Sequence, residues 1–296
     1  MECFVPVCFF KTKVEVLDDD QDWLSALDLT FSDKGRIEIS SDAELVIQRV
    51  KESEKLIDSL SGYNLPKILN NSDRYNIISV IVSDFVMPGC DGIEIFEKLE
   101  HTKLRKILMS AFVNYTSVCS FRKLYSIDSF LSKDIIMFGD KFKAILSSVS
   151  YKFFVSVFSK YLQSHKHLSG ILSSCSFFEA FDKLVCNNNI VEFYSVDDNG
   201  SYIMKSAEGK RFEFVMLDEQ TVIHSNKVFA EVLNNTVPEY IFMHPLMLRN
   251  NDELITRMVI ANENCRFFET TKVVIDDQIY YYSFNEGNFF FKNFQL

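Results

Sequence analysis

Four short apolar runs in the first half of the chain each end in polar residues, and longer stretches with helical spacing separate them. The runs are Lys13 to Leu17, Ile77 to Val82, Lys106 to Met109 and Ile127 to Leu131. Nearly continuous apolar runs of this length are typical of strands that are buried on both faces of a sheet. Because parallel strands need crossover helices between them, the pattern predicts a doubly wound α/β domain with a parallel sheet.

From Gly139 to His165 the apolar positions recur every three or four residues, which predicts one long helix. Its main apolar stripe consists of Phe142, Ile145, Val149, Phe153, Val157 and Tyr161. Five further positions widen that face: Phe138, Leu146, Phe154, Phe158 and Leu162. The helix could pack against the chain's own second domain or form a dimerising coiled coil. The width of the face favours the first interpretation, because a two-stranded seam is narrower.

Beyond His167 the spacing changes from that of helices to that of strands. After a helix over Phe177 to Val185, the predicted strands are Ile190 to Val196, Ser201 to Ser206, Arg211 to Leu217, Arg266 to Ile275, Gln278 to Phe284 and Asn288 to Phe294. Turn sequences such as Asp198-Asn199-Gly200 favour hairpins between the first three. A helix over Glu219 to Leu233 and a less regular stretch over Glu239 to Asn264 interrupt the strands. This order predicts an α+β domain with a mainly antiparallel sheet.

The resulting division places the α/β domain at residues 1–138, a linking helix at 139–167 and the α+β domain at 168–296. The order of elements in the last part is similar to that of PAS-like sensory domains. The segment from Ile190 to Tyr202 also resembles a small output domain of some bacterial regulators.

Asp84 directly follows the buried run Ile77 to Val82, and Met87-Pro88 and Asp91-Gly92 turn the chain just beyond it. A carboxylate at the end of a buried strand is costly unless a cation or hydrogen-bond donors offset its charge. Ligands bind at the carboxyl edge of open α/β sheets. Asp84 is therefore a candidate reactive group.

The other three runs bring further chemistry to the same predicted edge. They end in Asp18-Asp19-Asp20, in Ser110 and in Ser132-Lys133. Carboxylates bind Mg²⁺ through oxygen, while a hydroxyl and an ammonium can hold phosphoryl oxygens, so the set suits phosphoryl transfer onto Asp84. Taken singly, each group also has a plain explanation: the acidic run could cap a helix, Ser110 could be a loop hydroxyl and Lys133 a surface charge.

Together, over about residues 11 to 145, these groups resemble the receiver domain of two-component response regulators. Asp18 and Asp19 match the acidic pair, Asp84 the phosphoacceptor, Ser110 the switch hydroxyl, Phe130 the switch aromatic and Lys133 the invariant lysine. The resemblance implies a flavodoxin-like parallel sheet of five strands. It also implies that Asp19, Asp84 and the main-chain oxygen of Val86 bind Mg²⁺, with Asp18 acting through water.

Two features depart from the receiver pattern. From Asp19 to Asp84 there are 65 residues, more than receivers usually have, and we expect the excess in a long second helix, Asp42 to Leu60, and in the turn after it. Asp134 follows Lys133 where receivers usually have proline. The lysine is therefore expected to be held differently.

Charge limits what the second half can bind. Residues 151–296 contain 13 Lys and Arg against 18 Asp and Glu, whereas DNA binding requires a basic surface. The histidines at 165, 167, 224 and 244 share no metal-site spacing. Seven cysteines without a C-x-x-C pair indicate a reducing compartment. The apolar stretch Phe4 to Phe10 is too short to span a membrane.

The sequence thus predicts a cytoplasmic response regulator that accepts a phosphoryl group from a histidine kinase or phosphotransfer protein and signals to an unknown downstream protein, without nucleic acid or membrane. It is not predicted to be an enzyme in its own right, and a homodimer through the 139–165 helix is an option. Alternatives are a phosphorylation-independent pseudo-receiver scaffold and a ligand-sensing regulator with a PAS-like second domain. We also predict slow decay of the phosphoryl group, because bulky Val86 and Phe112, two residues past Asp84 and Ser110, would hinder the attacking water.

Overall fold

The computed structural model describes residues 3–31, 36–60, 62–111, 127–134, 139–221, 241–243, 247–248, 267–287, 291, 294 and 296. The chain forms two compact units, of which the first is Phe10–Tyr161 and the second combines Leu162–Leu296 with Met1–Phe9. None of the described helices has both the length and the apolar content needed to cross a lipid bilayer. The five cysteines among these residues form no disulfide.

The amino end of the chain belongs to the second unit, which corrects the predicted boundary at residue 1. Strand β1 (Cys8–Phe9) pairs antiparallel with a strand of that unit through Cys8 and Tyr194 and through Phe9 and Phe193. Val5 and Val7 are buried. The apolar run at the amino end therefore supplies an edge strand and core side chains to the second unit.

The first unit contains a five-stranded parallel sheet in the order β3-β2-β4-β5-β6. Its strands are β2 (Lys13–Leu17), β3 (Ile37–Ser40), β4 (Ile78–Asp84), β5 (Arg105–Ser110) and β6 (Ser129–Ser132). The central strand β4 is buried along its whole length, as its apolar sequence predicts. The predicted doubly wound fold is confirmed.

Helices cover both faces of this sheet. They are α1 (Gln21–Thr30), α2 (Ala43–Ser59), α3 (Leu65–Leu69), α4 (Gly92–Lys98) and α5 (Asp140–Val157). Apolar residues of α1 and α5 share one core with the strands, and those of α2 and α4 share the other. The long α2, then α3 and a 3-10 helix over Ser72–Asn76, account for the extended spacing before Asp84.

The predicted 139–165 helix is interrupted, and the first part of its apolar stripe packs on the sheet of its own unit. Helix α5 ends at Val157, α6 (Ser159–Ser164) follows after Phe158, and the boundary between the units falls within α6. Phe142 and Val149 belong to the core that includes β4 and β5. The first part of the stripe, with partly buried Ile145 beside these two residues, therefore packs within the first unit itself.

The second unit has a six-stranded sheet in the order β1-β7-β8-β9-β14-β13, and every neighbouring pair is antiparallel. Helices α7 (Lys166–Ser173) and α8 (Cys175–Asn187) precede the strands β7 (Ile190–Ser195), β8 (Tyr202–Ser206) and β9 (Arg211–Asp218). Phe181 of α8 contacts the rings of Phe193, Tyr202 and Phe214. The predicted antiparallel α+β domain is confirmed.

The end of the chain differs from the predicted strands. The described part of the predicted strand Arg266 to Ile275, residues 267–275, forms two strands in different sheets, β12 (Phe267–Glu269) and β13 (Thr271–Ile275). A three-stranded sheet contains β12 together with β10 (Ile241–Met243) and β11 (Met247–Leu248), and the chain continues from β13 into β14 (Gln278–Glu286). The predicted helix beyond residue 221, His224 and His244 lie outside the described residues.

Candidate functional site

Strand register brings the predicted site residues to one edge of the first unit's sheet. Leu17 pairs with Ser83, so Asp18 and Asp84 follow adjacent positions on neighbouring strands. Asp84 pairs with Met109, and Ser110 pairs with Ser132. The carboxyl ends of four parallel strands therefore carry an aspartate, another aspartate, a serine and a lysine side by side.

Lys133 joins the two buried carboxylates at this edge. Its Nζ lies 2.6 Å from Oδ2 of Asp18 and 3.2 Å from Oδ2 of Asp84. Asp18 is 0% exposed and Asp84 6% exposed, while the lysine side chain is 16% exposed. Because this contact is largely shielded from water, the ammonium offsets the carboxylate charge more effectively than it would at the surface.

The acidic groups also form a compact oxygen cluster. One carboxylate oxygen each from Asp18, Asp19 and Asp84 lie within 4.8 Å of one another, and Asp19 is exposed to solvent. Three carboxylates against one ammonium leave a negative charge that a hard divalent cation would neutralise. The donor set and its spacing fit Mg²⁺. Val86, the fourth predicted ligand, lies two residues beyond Asp84 with its side chain 70% exposed.

The third aspartate of the acidic run has a different function from the first two. The Trp23 backbone N–H donates to Oδ1 of Asp20 at 3.0 Å, so Asp20 caps α1. The Asp20 N–H in turn donates to Oδ1 of Asp18 at 2.9 Å. The capping explanation thus holds for Asp20, and the site explanation fits Asp18 and Asp19.

The loop after Asp84 is held tightly against it. The Phe85 N–H donates to the Met109 carbonyl at 2.8 Å, and the Gly92 N–H donates to the Phe85 carbonyl at 3.2 Å. A Cβ at Gly92 would lie 2.3 Å from the Asp84 carbonyl oxygen. Asp91 caps α4 through the Glu94 N–H. The Asp91-Gly92 pair therefore fixes how closely α4 begins beside Asp84.

Scans against protein-family models and against curated proteins gave no match. Among solved structures, the response regulator LqsR of Legionella pneumophila aligns with 98% of this chain and 92% of its own, with a TM-score of 0.73 and 20% identity. The first unit has the receiver fold. Two shorter matches are receiver domains, from the putative response regulator NarL of Mycobacterium tuberculosis and from the histidine kinase CKI1 of Arabidopsis thaliana complexed with Mg²⁺. The NarL domain is 20% identical, and the match covers 47% of this chain and 97% of that domain with a TM-score of 0.34. The CKI1 domain is 17% identical, and the match covers 49% of this chain and 95% of that domain with a TM-score of 0.35.

Opposing effects act on the pKa values in the receiver unit's site. Burial raises the pKa of Asp84, the Lys133 ammonium partly counteracts this effect, and the nearby Asp18 adds to it. For Lys133, burial alone would lower the pKa, but the contacts with Asp18 and Asp84 outweigh burial and raise it. The lysine therefore stays charged, and Asp84 is a more basic carboxylate than an exposed aspartate.

The two predicted switch residues lie on neighbouring strands. Ser110 is 8% exposed at the end of β5. Phe130 on β6 is half-buried and packs against the core of α2 and α4. Phe112 lies outside the described residues.

Trp23 also lies close to the site, although it is not among the residues predicted from the sequence. The Lys133 Nζ is 5.3 Å from the centroid of the Trp23 ring. The sequence places Trp23 in the first turn after the acidic run. Whether that position of α1 faces the site depends on how the helix packs, which the sequence does not specify.

Proposed function

We propose that this chain is a response regulator of a two-component phosphorelay and that Asp84 accepts the phosphoryl group. The observation that carries the proposal is the placement of Lys133 between Asp18 and Asp84 at the carboxyl edge of the receiver unit's sheet. This arrangement combines a buried nucleophile with a cation that can neutralise transferred oxygens. The fold shared with LqsR is consistent with it.

The proposed transfer starts from a phosphohistidine of a histidine kinase or phosphotransfer protein. A carboxylate oxygen of Asp84 forms a bond to phosphorus, the phosphorus–nitrogen bond breaks, and its electron pair stays on the imidazole. Lys133 holds one phosphoryl oxygen, and the hydroxyl of Ser110 donates to another. Mg²⁺, held by Asp18, Asp19, Asp84 and the main-chain oxygen of Val86, would supply positive charge to the same oxygens.

We further propose that Ser110 and Phe130 carry the change outward, with the hydroxyl moving toward the phosphoryl group and the ring rotating into the space it leaves. The output would be a contact with a downstream protein in the cytoplasm. An excess of acidic residues in the second half, 18 against 13 basic ones, opposes binding to nucleic acid. In this proposal the second domain is an interaction module without catalysis of its own.

Intact-mass measurement with acetyl phosphate and Mg²⁺ tests the proposal. The parent should gain the mass of one phosphoryl group, and Asp84→Asn should gain none. Asp91→Asn is a matched control from the same loop, because asparagine also caps helices well; it should react like the parent. If the parent stays unmodified while it binds Mg²⁺, the chain is a phosphorylation-independent scaffold and the proposal fails.

The phosphoryl group should decay slowly because Val86 lies two residues beyond Asp84 and is too bulky and apolar to position an attacking water. Val86→Asn should shorten the lifetime severalfold, and its 70% exposure makes disruption of the fold a poor explanation. An unchanged lifetime would refute this steric explanation but not the transfer itself.

A further inference from the structure

Trp23 is fixed beside the site by contacts that do not involve the site itself. Its backbone N–H binds the capping carboxylate of Asp20 at 3.0 Å. Its side chain packs against the core cluster that contains Leu24 and Leu27. The capping bond anchors the backbone of Trp23, and the core supports its side chain, so the ring offers a surface to a neighbouring group.

The neighbouring group is the ammonium of Lys133. Its Nζ lies 5.3 Å from the ring centroid, within the range in which a cation is attracted to the face of an aromatic ring. The lysine side chain is only 16% exposed. Because little water surrounds it, this attraction is stronger than between exposed side chains.

Lys133 needs such a contact more than a lysine followed by proline does. A lysine side chain has four flexible carbons and many rotamers, and here Asp134 follows it instead of a residue with fixed φ. The Asp134 N–H donates to Oγ of Ser132 at 3.3 Å, which closes a short turn but does not touch the ammonium. Asp18 and Asp84 attract the ammonium toward the phosphoacceptor, and two carboxylates do not use all three N–H donors of an ammonium.

We propose that Trp23 is a positioning residue that confines the Lys133 ammonium against Asp18 and Asp84. Its effect on phosphoryl transfer rests on the function proposed above, whereas the contact itself does not. Without the ring, Lys133 would spend less time where a transferred oxygen arrives. A cation–π contact in a partly shielded site corresponds to a change of between about threefold and thirtyfold in an equilibrium or rate.

Two substitutions separate the ring from its volume. Trp23→Phe and Trp23→Leu both shorten the side chain, but only phenylalanine keeps an aromatic face. In the full-length protein with Mg²⁺ and acetyl phosphate, Trp23→Leu should slow phosphorylation by between about threefold and thirtyfold, and Trp23→Phe should recover a large part of the rate. Leu29→Ala, on the same helix at a residue that is 87% exposed, should react like the parent. Equal urea midpoints for the Phe and Leu variants would confirm that stability does not separate them.

The chemical shifts of the Lys133 methylene protons next to Nζ test the contact without phosphorylation. The indole ring current should move them upfield in the parent, less in Trp23→Phe and not in Trp23→Leu. Unshifted protons in the parent would overturn the proposal, and so would equal rates for the Phe and Leu variants. If the parent shows the shift but accepts no phosphoryl group, the function proposed above fails. In that case Trp23 still positions Lys133 only if the Lys133 methylene signals are sharper and more dispersed in the parent than in Trp23→Leu.

Discussion

A buried glutamate makes the stability of the receiver unit depend on pH. Glu15 on β2 is 0% exposed, and its nearest cationic partner is Arg49 of α2, with Nη1 to Oε2 at 3.4 Å. Among the described residues, no donor pairs with the other oxygen, Oε1. Burial raises the pKa of Glu15 to about 7, although Arg49 counteracts this effect. Glu38 beside it is stabilised as a carboxylate by Lys13 and Arg49, which outweigh its own burial and lower its pKa.

The sign and size of the effect of Glu15 follow from its two pKa values. Below the ordinary pKa of 4.5 the carboxyl is protonated in both the folded and the unfolded chain, so it contributes no penalty. As the pH rises toward about 7, the unfolded chain loses the proton and the folded chain keeps it, so the free energy of unfolding falls. With about 1.4 kcal/mol for each pKa unit, the loss between about pH 5 and about pH 8 is roughly 2.5 kcal/mol.

Urea unfolding at these two pH values tests this reasoning with Glu15→Gln, which is close in shape and does not ionise. Fluorescence of Trp23, the sole tryptophan, reports on the unit that contains Glu15. Relative to the parent, the variant should be more stable at the higher pH than at the lower pH by roughly 2.5 kcal/mol. Glu97→Gln removes a charge from an exposed position and should show no such difference. Parallel pH profiles for the parent and Glu15→Gln would show that Glu15 does not make the stability depend on pH.

Two further substitutions test the site's construction. Gly92→Ala should destabilise the protein by about 1–3 kcal/mol in urea unfolding, because the new Cβ would lie 2.3 Å from the Asp84 carbonyl oxygen. The same displacement should slow phosphorylation. Gly170→Ala is the control and should not destabilise the protein, because nothing lies within 4 Å of the added Cβ. Lys133→Met should cost about 3–5 kcal/mol without Mg²⁺, because Asp18 and Asp84 lose their shared cation, and added Mg²⁺ should restore part of the loss. Unchanged stability in either variant would contradict the geometry on which it rests.

The site was predictable because its chemistry lies at strand ends. Asp84 and Ser110 end their strands, Asp18 and Lys133 follow theirs, and a parallel sheet brings such positions together whatever the helices do. The acidic run also predicts a helix cap. Only the structure shows that Asp20 is the capping residue and that Asp18 and Asp19 lie in the oxygen cluster with Asp84.

Features that depend on tertiary packing were not predictable. Nothing in the two-residue strand Cys8–Phe9 specifies that its partner lies near residue 194. No glycine or proline in the sequence indicates the break at Phe158, because α5 and α6 contain neither residue type. The contact between Trp23 and Lys133 joins residues far apart in sequence, and so does the pairing of Glu15 with Arg49. Each of these depends on helix placement rather than on local sequence.

The residue that carries the transferred phosphoryl group can be identified chemically. After reaction with acetyl phosphate and Mg²⁺, borohydride reduction converts an aspartyl phosphate to homoserine, which peptide mass spectrometry can locate. If Asp84 is the phosphoacceptor, homoserine should appear at residue 84 and at no other aspartate. Homoserine at Asp18 or Asp19, or its absence from every peptide of a fully covered map, would contradict this assignment.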